Sequence, residues 1–116
     1  MGHGMQIAKA SQVTLQFQFS KIPVLAKAFE SLAQENLTKA HRTNFQYTRD
    51  FTKLKTEVDP IQKQILFDPQ TSGGLLLSVA PSAAESIVKH LQVRFPFASV
   101  VGSVSPQTSH RLEIHA

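Results

Sequence analysis

The run LFDPQTSGGLLL at 66–77 constrains the fold more than any other part of this chain. It places a proline turn, two hydroxyl side chains and the adjacent glycines Gly73 and Gly74 directly before an apolar segment. Glycine tolerates positive φ and lets a ligand come close to the backbone, and consecutive free N–H groups in such a turn form a concavity that favours anions. The run therefore predicts either a plain connection from helix to strand or an anion-binding loop followed by a strand.

Length and composition describe one folded domain. The chain has 116 residues, of which 41% are hydrophobic, which is enough for a single domain over 1–116 with a buried core. No stretch approaches the roughly 18–20 apolar residues of a membrane span, and residues 1–10 lack a signal-peptide core, so we expect no membrane partner. The absence of cysteine excludes disulfides, thiolate metal sites and a cysteine nucleophile, and is compatible with our expectation of a cytoplasmic protein.

The charge balance is basic but dispersed. Lysine and arginine total 12 against 8 acidic residues, giving a net charge of +4. A basic balance suits anionic partners such as nucleotide phosphates. No basic run of about five to eight residues is present, so we expect small-molecule substrates and no nucleic-acid partner.

The first elements follow from hydrophobic spacing. Residues 2–11 predict a short helix, and the alternation VTLQFQF at 13–19 predicts a strand with one buried face. Pro23 suits the first turn of a helix, whose apolar stripe extends to Leu32.

The middle of the chain is polar and lacks a clear period. Residues 36–58 therefore predict a long loop with a short strand around 45–51. Asp59 followed by Pro60 is typical of a helix start, with Asp59 as the N-cap.

The second half predicts three strands and a helix. Residues 75–80 are apolar with little alternation, which favours a central strand covered on both faces. A capping box at 82–85 opens a helix that Pro96 ends, and 98–104 with 111–115 predict an antiparallel hairpin. The expected fold class is α/β (α+β-like), a mixed sheet of about four strands with packed helices.

Residues suited to catalysis or metal binding are sparse. None of the five histidines lies at i, i+3 or i, i+4 from another, so we predict no metal site. The chain has no Gly-x-Ser-x-Gly elbow and no carboxylate pair on one regular element, so no catalytic residue is predicted.

The candidate site is the loop at 68–74, whose hydroxyls and amides could face a phosphate. Asp68 is either a turn residue, bonding its own backbone, or a residue that orients this loop. Arg42 and Asn44 are either polar contacts to a ligand or a solvated surface pair. The candidate loop residues are Asp68, Gln70, Thr71, Ser72, Gly73 and Gly74.

The nine residues DPQTSGGLL at 68–76 resemble the signature in the C-terminal half of selenophosphate synthetase (selenide, water dikinase). Weaker likenesses lie in the same order along the chain: Gly2-His3, Ile22-Pro23, Arg42-Thr43-Asn44 and the strand at 101–104. Two departures stand out. Residues 37–41 replace a glycine pair that often precedes the Arg-Asn segment, and Ser103 replaces an expected arginine.

The resemblance implies a C-terminal domain with the fold of the AIR synthetase C-terminal domain, and an absent N-terminal domain that binds ATP and Mg²⁺. It implies an enzyme that makes selenophosphate from selenide, ATP and water, releasing AMP and phosphate, as a homodimer. It also implies that this chain alone is inactive. Two alternatives stay open: a stand-alone regulatory module that binds anions or nucleotides, and another member of the AIR synthetase superfamily.

Overall fold

The computed structural model describes residues 1–116, in which five helices, four strands and three 3₁₀ turns alternate. The helices are α1 (Gly2–Ala10), α2 (Ala28–Ala33), α3 (Lys39–Thr48), α4 (Pro60–Lys63) and α5 (Pro81–Gln92). The strands are β1 (Val13–Gln18), β2 (Thr52–Leu54), β3 (Gly102–Pro106) and β4 (Leu112–His115). The 3₁₀ turns are Phe19–Lys21, Arg49–Phe51 and Gln64–Phe67.

The strands form one mixed sheet in the order β2-β4-β1-β3. Strand β1 is antiparallel to β3 and parallel to β4, and β4 is parallel to β2. Leu15 of β1 is paired with Val104 on one side and Leu112 on the other. The predicted α/β class, with a mixed four-stranded sheet and packed helices, is confirmed.

The predicted hairpin between the last two strands is wrong. Strand β1 lies between β3 and β4, so these two neighbours in sequence are not neighbours in the sheet. Hydrophobic alternation predicts that each strand exists, but it carries no information about which strand lies beside it.

The core lies between one face of the sheet and α1 with the 3₁₀ turn Gln64–Phe67. Alternation along β1 turns Leu15 and Phe17 to this face, where both are buried. The cluster consists of Met5, Ala8, Leu15, Phe17, Leu66, Phe67, Leu112 and Ile114. Met5 and Ala8 of α1 are buried in this core, whereas Ile7 is exposed.

The residues that alternate with the core on β1 and β4 are polar. The Thr14 hydroxyl donates to the His110 carbonyl at 2.7 Å and accepts the Thr108 N–H at 2.9 Å. Glu113 is buried beside them, with Oε1 at 3.0 Å from the Thr108 hydroxyl and 3.3 Å from Lys55 Nζ. Buried polar groups are stable when they find such partners, so this network explains how a charged residue occupies an inner strand.

The predicted loop at 36–58 is wrong over most of its length. Residues Lys39–Thr48 form α3, and the short strand is β2 at Thr52–Leu54, beyond the expected 45–51. Helix α3 begins with a capping box in which the Thr38 side chain bonds the His41 N–H and the His41 ring accepts the Thr38 N–H. The third residue of a helix with a capping box is usually Glu or Gln rather than His. The sequence pattern therefore does not indicate a helix here.

Helix α2 begins later than the apolar stripe after Pro23 predicts. Lys27 has φ 67°, a left-handed conformation that an α-helix cannot include. The helix therefore starts at Ala28, which leaves Leu25 exposed and Leu32 buried. The predicted start at Asp59-Pro60 is confirmed, since Asp59 Oδ1 accepts the N–H groups of Ile61 and Gln62 at 2.9 and 3.0 Å.

The predicted buried strand at 75–80 is also wrong. These residues pair with no strand and are exposed, with Leu75 at 91% of its full accessible surface. The predicted helix that follows is confirmed as α5, but Ala80 is its N-cap and the expected box at 82–85 does not form. An apolar segment is buried only where another part of the protein covers it. Residues 75–80 pair with neither edge strand of the sheet, so they stay exposed. None of the five helices has the length and apolarity needed to cross a membrane.

Candidate functional site

Helix α3 holds the beginning of the loop at 68–74. Asn44 Nδ2 donates to the Phe67 carbonyl at 2.9 Å, and Phe45 packs edge-on against Phe67 with ring centroids 5.2 Å apart. Phe67 is itself part of the core. These contacts fix the residue from which the loop departs, so Asn44 acts on the loop through its backbone.

His41 and Asp68 form a second link between α3 and the loop. His41 is buried, and its Nε2 lies 3.2 Å from Asp68 Oδ1. The other ring nitrogen, Nδ1, accepts the Thr38 N–H at 3.3 Å, so Nε2 carries the proton that faces Asp68. The contact lacks the alignment of a hydrogen bond, so it is a close polar contact between the helix and the carboxylate.

Three short-range hydrogen bonds shape the turn itself. The N–H groups of Gln70 and Thr71 donate to the carbonyls of Asp68 and Pro69, both at 3.0 Å, and the Gly73 N–H donates to the Gln70 carbonyl at 3.3 Å. A Cβ atom on Gly73 would lie 2.9 Å from Gln70 Cβ, so this position favours glycine by close approach. Neither Gly73 nor Gly74 has positive φ. The turn therefore does not depend on the left-handed conformations that glycine allows.

The remaining polar groups of the turn face solvent. The N–H groups of Ser72 and Gly74 have no protein partner, and neither do the hydroxyls of Thr71 and Ser72. Residues 71–74 are all exposed. Two amide and two hydroxyl donors are therefore available within a four-residue stretch, an arrangement that suits the oxygens of an anion.

Arg42 is exposed on α3 and makes no ion pair with Asp68. It lines a cavity of about 490 Å³ between α3 and α4. Asp68 and Gln70 line a different cavity of about 180 Å³, mostly apolar, beside residues 22–25. The structure thus places Asn44 against the start of the loop, whereas Arg42 lines a cavity that His41 and Phe67 also line.

Sequence reasoning missed His41 as a site residue. Its spacing from the other histidines excludes a metal site, but it gives no sign that His41 meets Asp68, 27 residues further along the chain. The spacing Thr38-x-x-His41 was the available signal, since it matches a capping box with an unusual third residue. No group of three or more His, Cys, Asp or Glu side chains is close enough to hold a metal ion.

No protein-family model matches the chain. Among curated proteins it is similar to the selenide, water dikinase of Bdellovibrio bacteriovorus, with 47% identity over 106 residues, 91% of this chain and 30% of that protein. The selenide, water dikinase of Nitrosomonas eutropha is 45% identical over 91% of this chain and 30% of its own length. That of Aliarcobacter butzleri is 31% identical over 99% of this chain and 33% of its own length.

The chain therefore spans about a third of the length of the curated relatives it matches. The resemblance to selenophosphate synthetase seen in residues 68–76 is confirmed, and it extends over nearly the whole chain.

Proposed function

Since the chain is related over nearly its whole length to part of the selenide, water dikinases, we propose that it acts as the C-terminal domain of such an enzyme. The enzyme would be cytoplasmic and would convert selenide, ATP and water into selenophosphate, AMP and phosphate. Its partners would be an N-terminal domain of the same enzyme and a second copy in a homodimer. The observation that carries the proposal is the 47% identity with the Bdellovibrio protein.

In this proposal the loop at 68–74 faces the cleft between the two domains. Four donors of the loop would bind phosphate oxygens while negative charge shifts among those oxygens during phosphoryl transfer. They are the amides of Ser72 and Gly74 and the hydroxyls of Thr71 and Ser72. Asn44 and His41 would hold the loop in place through Phe67 and Asp68. Donors that are fixed before the substrate arrives stabilise a transition state without reorganisation.

ATP and Mg²⁺ would be bound mainly by the N-terminal domain. This chain has no cluster of carboxylates suited to Mg²⁺, so its residues do not fit a metal site. Its contribution would be to exclude water from the cleft and to orient phosphate oxygens. We therefore expect the isolated chain to form no AMP from ATP and selenide.

The proposal is tested by grafting this chain onto the Bdellovibrio enzyme in place of the third that it matches. We expect the purified chimera to form AMP in a selenide-dependent manner. Ser72→Ala should lower that rate about tenfold or more by removing one donor to the phosphate, whereas Ser82→Ala, an exposed serine on α5, should leave it unchanged. A folded chimera without selenide-dependent AMP formation would refute the proposal.

A stand-alone module that binds anions is the second candidate, favoured by the unpaired amides of the loop. Calorimetric titration of this chain with inorganic phosphate distinguishes the stand-alone module from a dikinase domain. Phosphate binding that Gly73→Val abolishes would favour the module. Absence of binding at the loop would favour a domain whose site needs its other half.

A further inference from the structure

A cavity of about 490 Å³ lies between α3 and the segment formed by α4 and its following 3₁₀ turn. Its volume falls within the range of about 300–1,000 Å³ typical of small-molecule sites. Asp68 and the exposed loop at 71–74 are not among the residues that line it. The cavity therefore lies beside the loop and shares with it His41 and Phe67, the residues that meet its start, but it does not include the exposed turn itself.

Three cationic side chains line this cavity, and no carboxylate does. They are Lys39 and Arg42 on α3, and Lys63 at the end of α4. None of the three takes part in an ion pair, although five other pairs are present in the chain. Like charges around one concave surface raise the local positive potential and attract an anion.

The same cavity has an apolar side. Phe45 and Phe67 line it together with Leu37. Phe67 is buried, while Phe45 keeps 39% of its surface exposed and stands edge-on to Phe67 at 80°. An exposed aromatic side chain next to cations is suited to a planar ring that carries a charged group.

We propose that this cavity binds a nucleotide, with its phosphates held by Lys39, Arg42 and Lys63 and its base packed against Phe45. Inorganic phosphate alone would fill a small part of the volume and would not use the aromatic wall. The proposal uses only residues of this chain, and it does not depend on the proposed dikinase function.

The test is calorimetric titration of this chain with ADP in the absence of metal ions. We expect one ADP per chain, with adenosine and inorganic phosphate each binding at least tenfold more weakly. Equal affinity for phosphate and ADP, or no binding of ADP at millimolar concentrations, would overturn the proposal. Weakening of ADP binding by added salt is also expected, because the contacts are ionic.

Variants that remove positive charge inside and outside the cavity locate the site. The double variant Arg42→Gln with Lys63→Gln should weaken ADP binding at least tenfold, whereas Lys53→Gln, an exposed lysine on β2 outside the cavity, should leave it unchanged. Circular dichroism of each variant verifies the fold. An equal loss of ADP affinity in Lys53→Gln would contradict the proposed site. Loss of ADP binding in Gly73→Val would also contradict it, because it would place the nucleotide at the loop. AMP formation by the chimera tests the proposed dikinase function by itself. Absence of ADP binding to this cavity would therefore not contradict that function.

Discussion

The imidazole of His41 lies between two parts of the chain, with Nδ1 accepting the Thr38 N–H and Nε2 3.2 Å from Asp68 Oδ1. One buried side chain thus caps helix α3 and restrains the first residue of the exposed loop. Because both contacts use the same ring, the start of the helix and the position of the loop are linked.

His41→Ala should lower the free energy of unfolding by about 1–2 kcal/mol, since it removes a capping partner and leaves a space in a buried site. His41→Gln should lose less, because glutamine is a normal third residue of a capping box. Urea denaturation followed by circular dichroism measures both. His90→Ala, exposed on α5, is the control and should change stability by less than about 0.5 kcal/mol. Equal losses at His41 and His90 would contradict the linkage.

Glu113 should make stability depend on pH in the acidic range. Burial alone would raise the pKa of Glu113, but hydrogen bonds from Thr108, Lys55 and Gln16 with the charge of Lys55 outweigh it and lower the pKa below the ordinary value of 4.5. A folded-state pKa below the unfolded one gives stability that is present above about pH 4.5 and is lost as the pH falls through the folded value.

Urea titrations between pH 3 and pH 7 test this. Glu113→Gln should be less stable than the wild type at pH 7 and should lose less stability on acidification. Glu57→Gln, an exposed residue without an ion pair, should retain the wild-type dependence. A wild-type slope in Glu113→Gln would show that the carboxylate is not held by its neighbours.

Gly102→Ala should destabilise the protein by about 3 kcal/mol. A Cβ atom there would overlap the Gln16 carbonyl oxygen on β1, so β3 would have to move away from its neighbour. Gly4→Ala is the matched control, because its Cβ would meet Phe17 no closer than 3.6 Å and alanine favours a helix. Thermal unfolding compares the two. A stable Gly102→Ala would mean that the register between Phe17 and Gly102 is different.

Leu75→Ala should change stability by less than about 0.5 kcal/mol, because Leu75 is 91% exposed. Leu112→Ala, at a fully buried position, should cost about 2–5 kcal/mol. Chemical denaturation of both variants measures the contrast. A similar loss in both would show that residues 75–80 are buried in solution, as their apolar pattern predicts.

Local patterns predicted the elements that depend on local chemistry. The alternation of β1 and β4, the cap at Asp59 and the amphipathic helix α5 were all evident in the sequence. Helix α3 was missed, because its sequence is polar and its capping residue His41 is unusual. The wrong prediction of a buried strand at 75–80 has another cause. An apolar run indicates a tendency to be buried, but it does not say which part of the protein would cover it.

The candidate site was predictable only in part. The hydroxyls and glycines at 71–74 indicate either a plain connection or an anion-binding loop, and the structure places these residues on the surface. The restraints on that turn come from Asn44 and His41, which meet Phe67 and Asp68 through contacts between residues far apart in sequence. Such contacts depend on the packing of α3 against the core, which no local pattern describes.

The position of β1 between β3 and β4 also determines when this protein can fold during synthesis. Strand β1 begins at Val13, but both of its partners lie in the last fifteen residues of the chain. Until those residues have been synthesised, β1 has no strand to pair with, and Leu112 and Ile114 are not yet there to complete the core around its apolar face. Contacts of such long range slow folding and leave the nascent chain open to association.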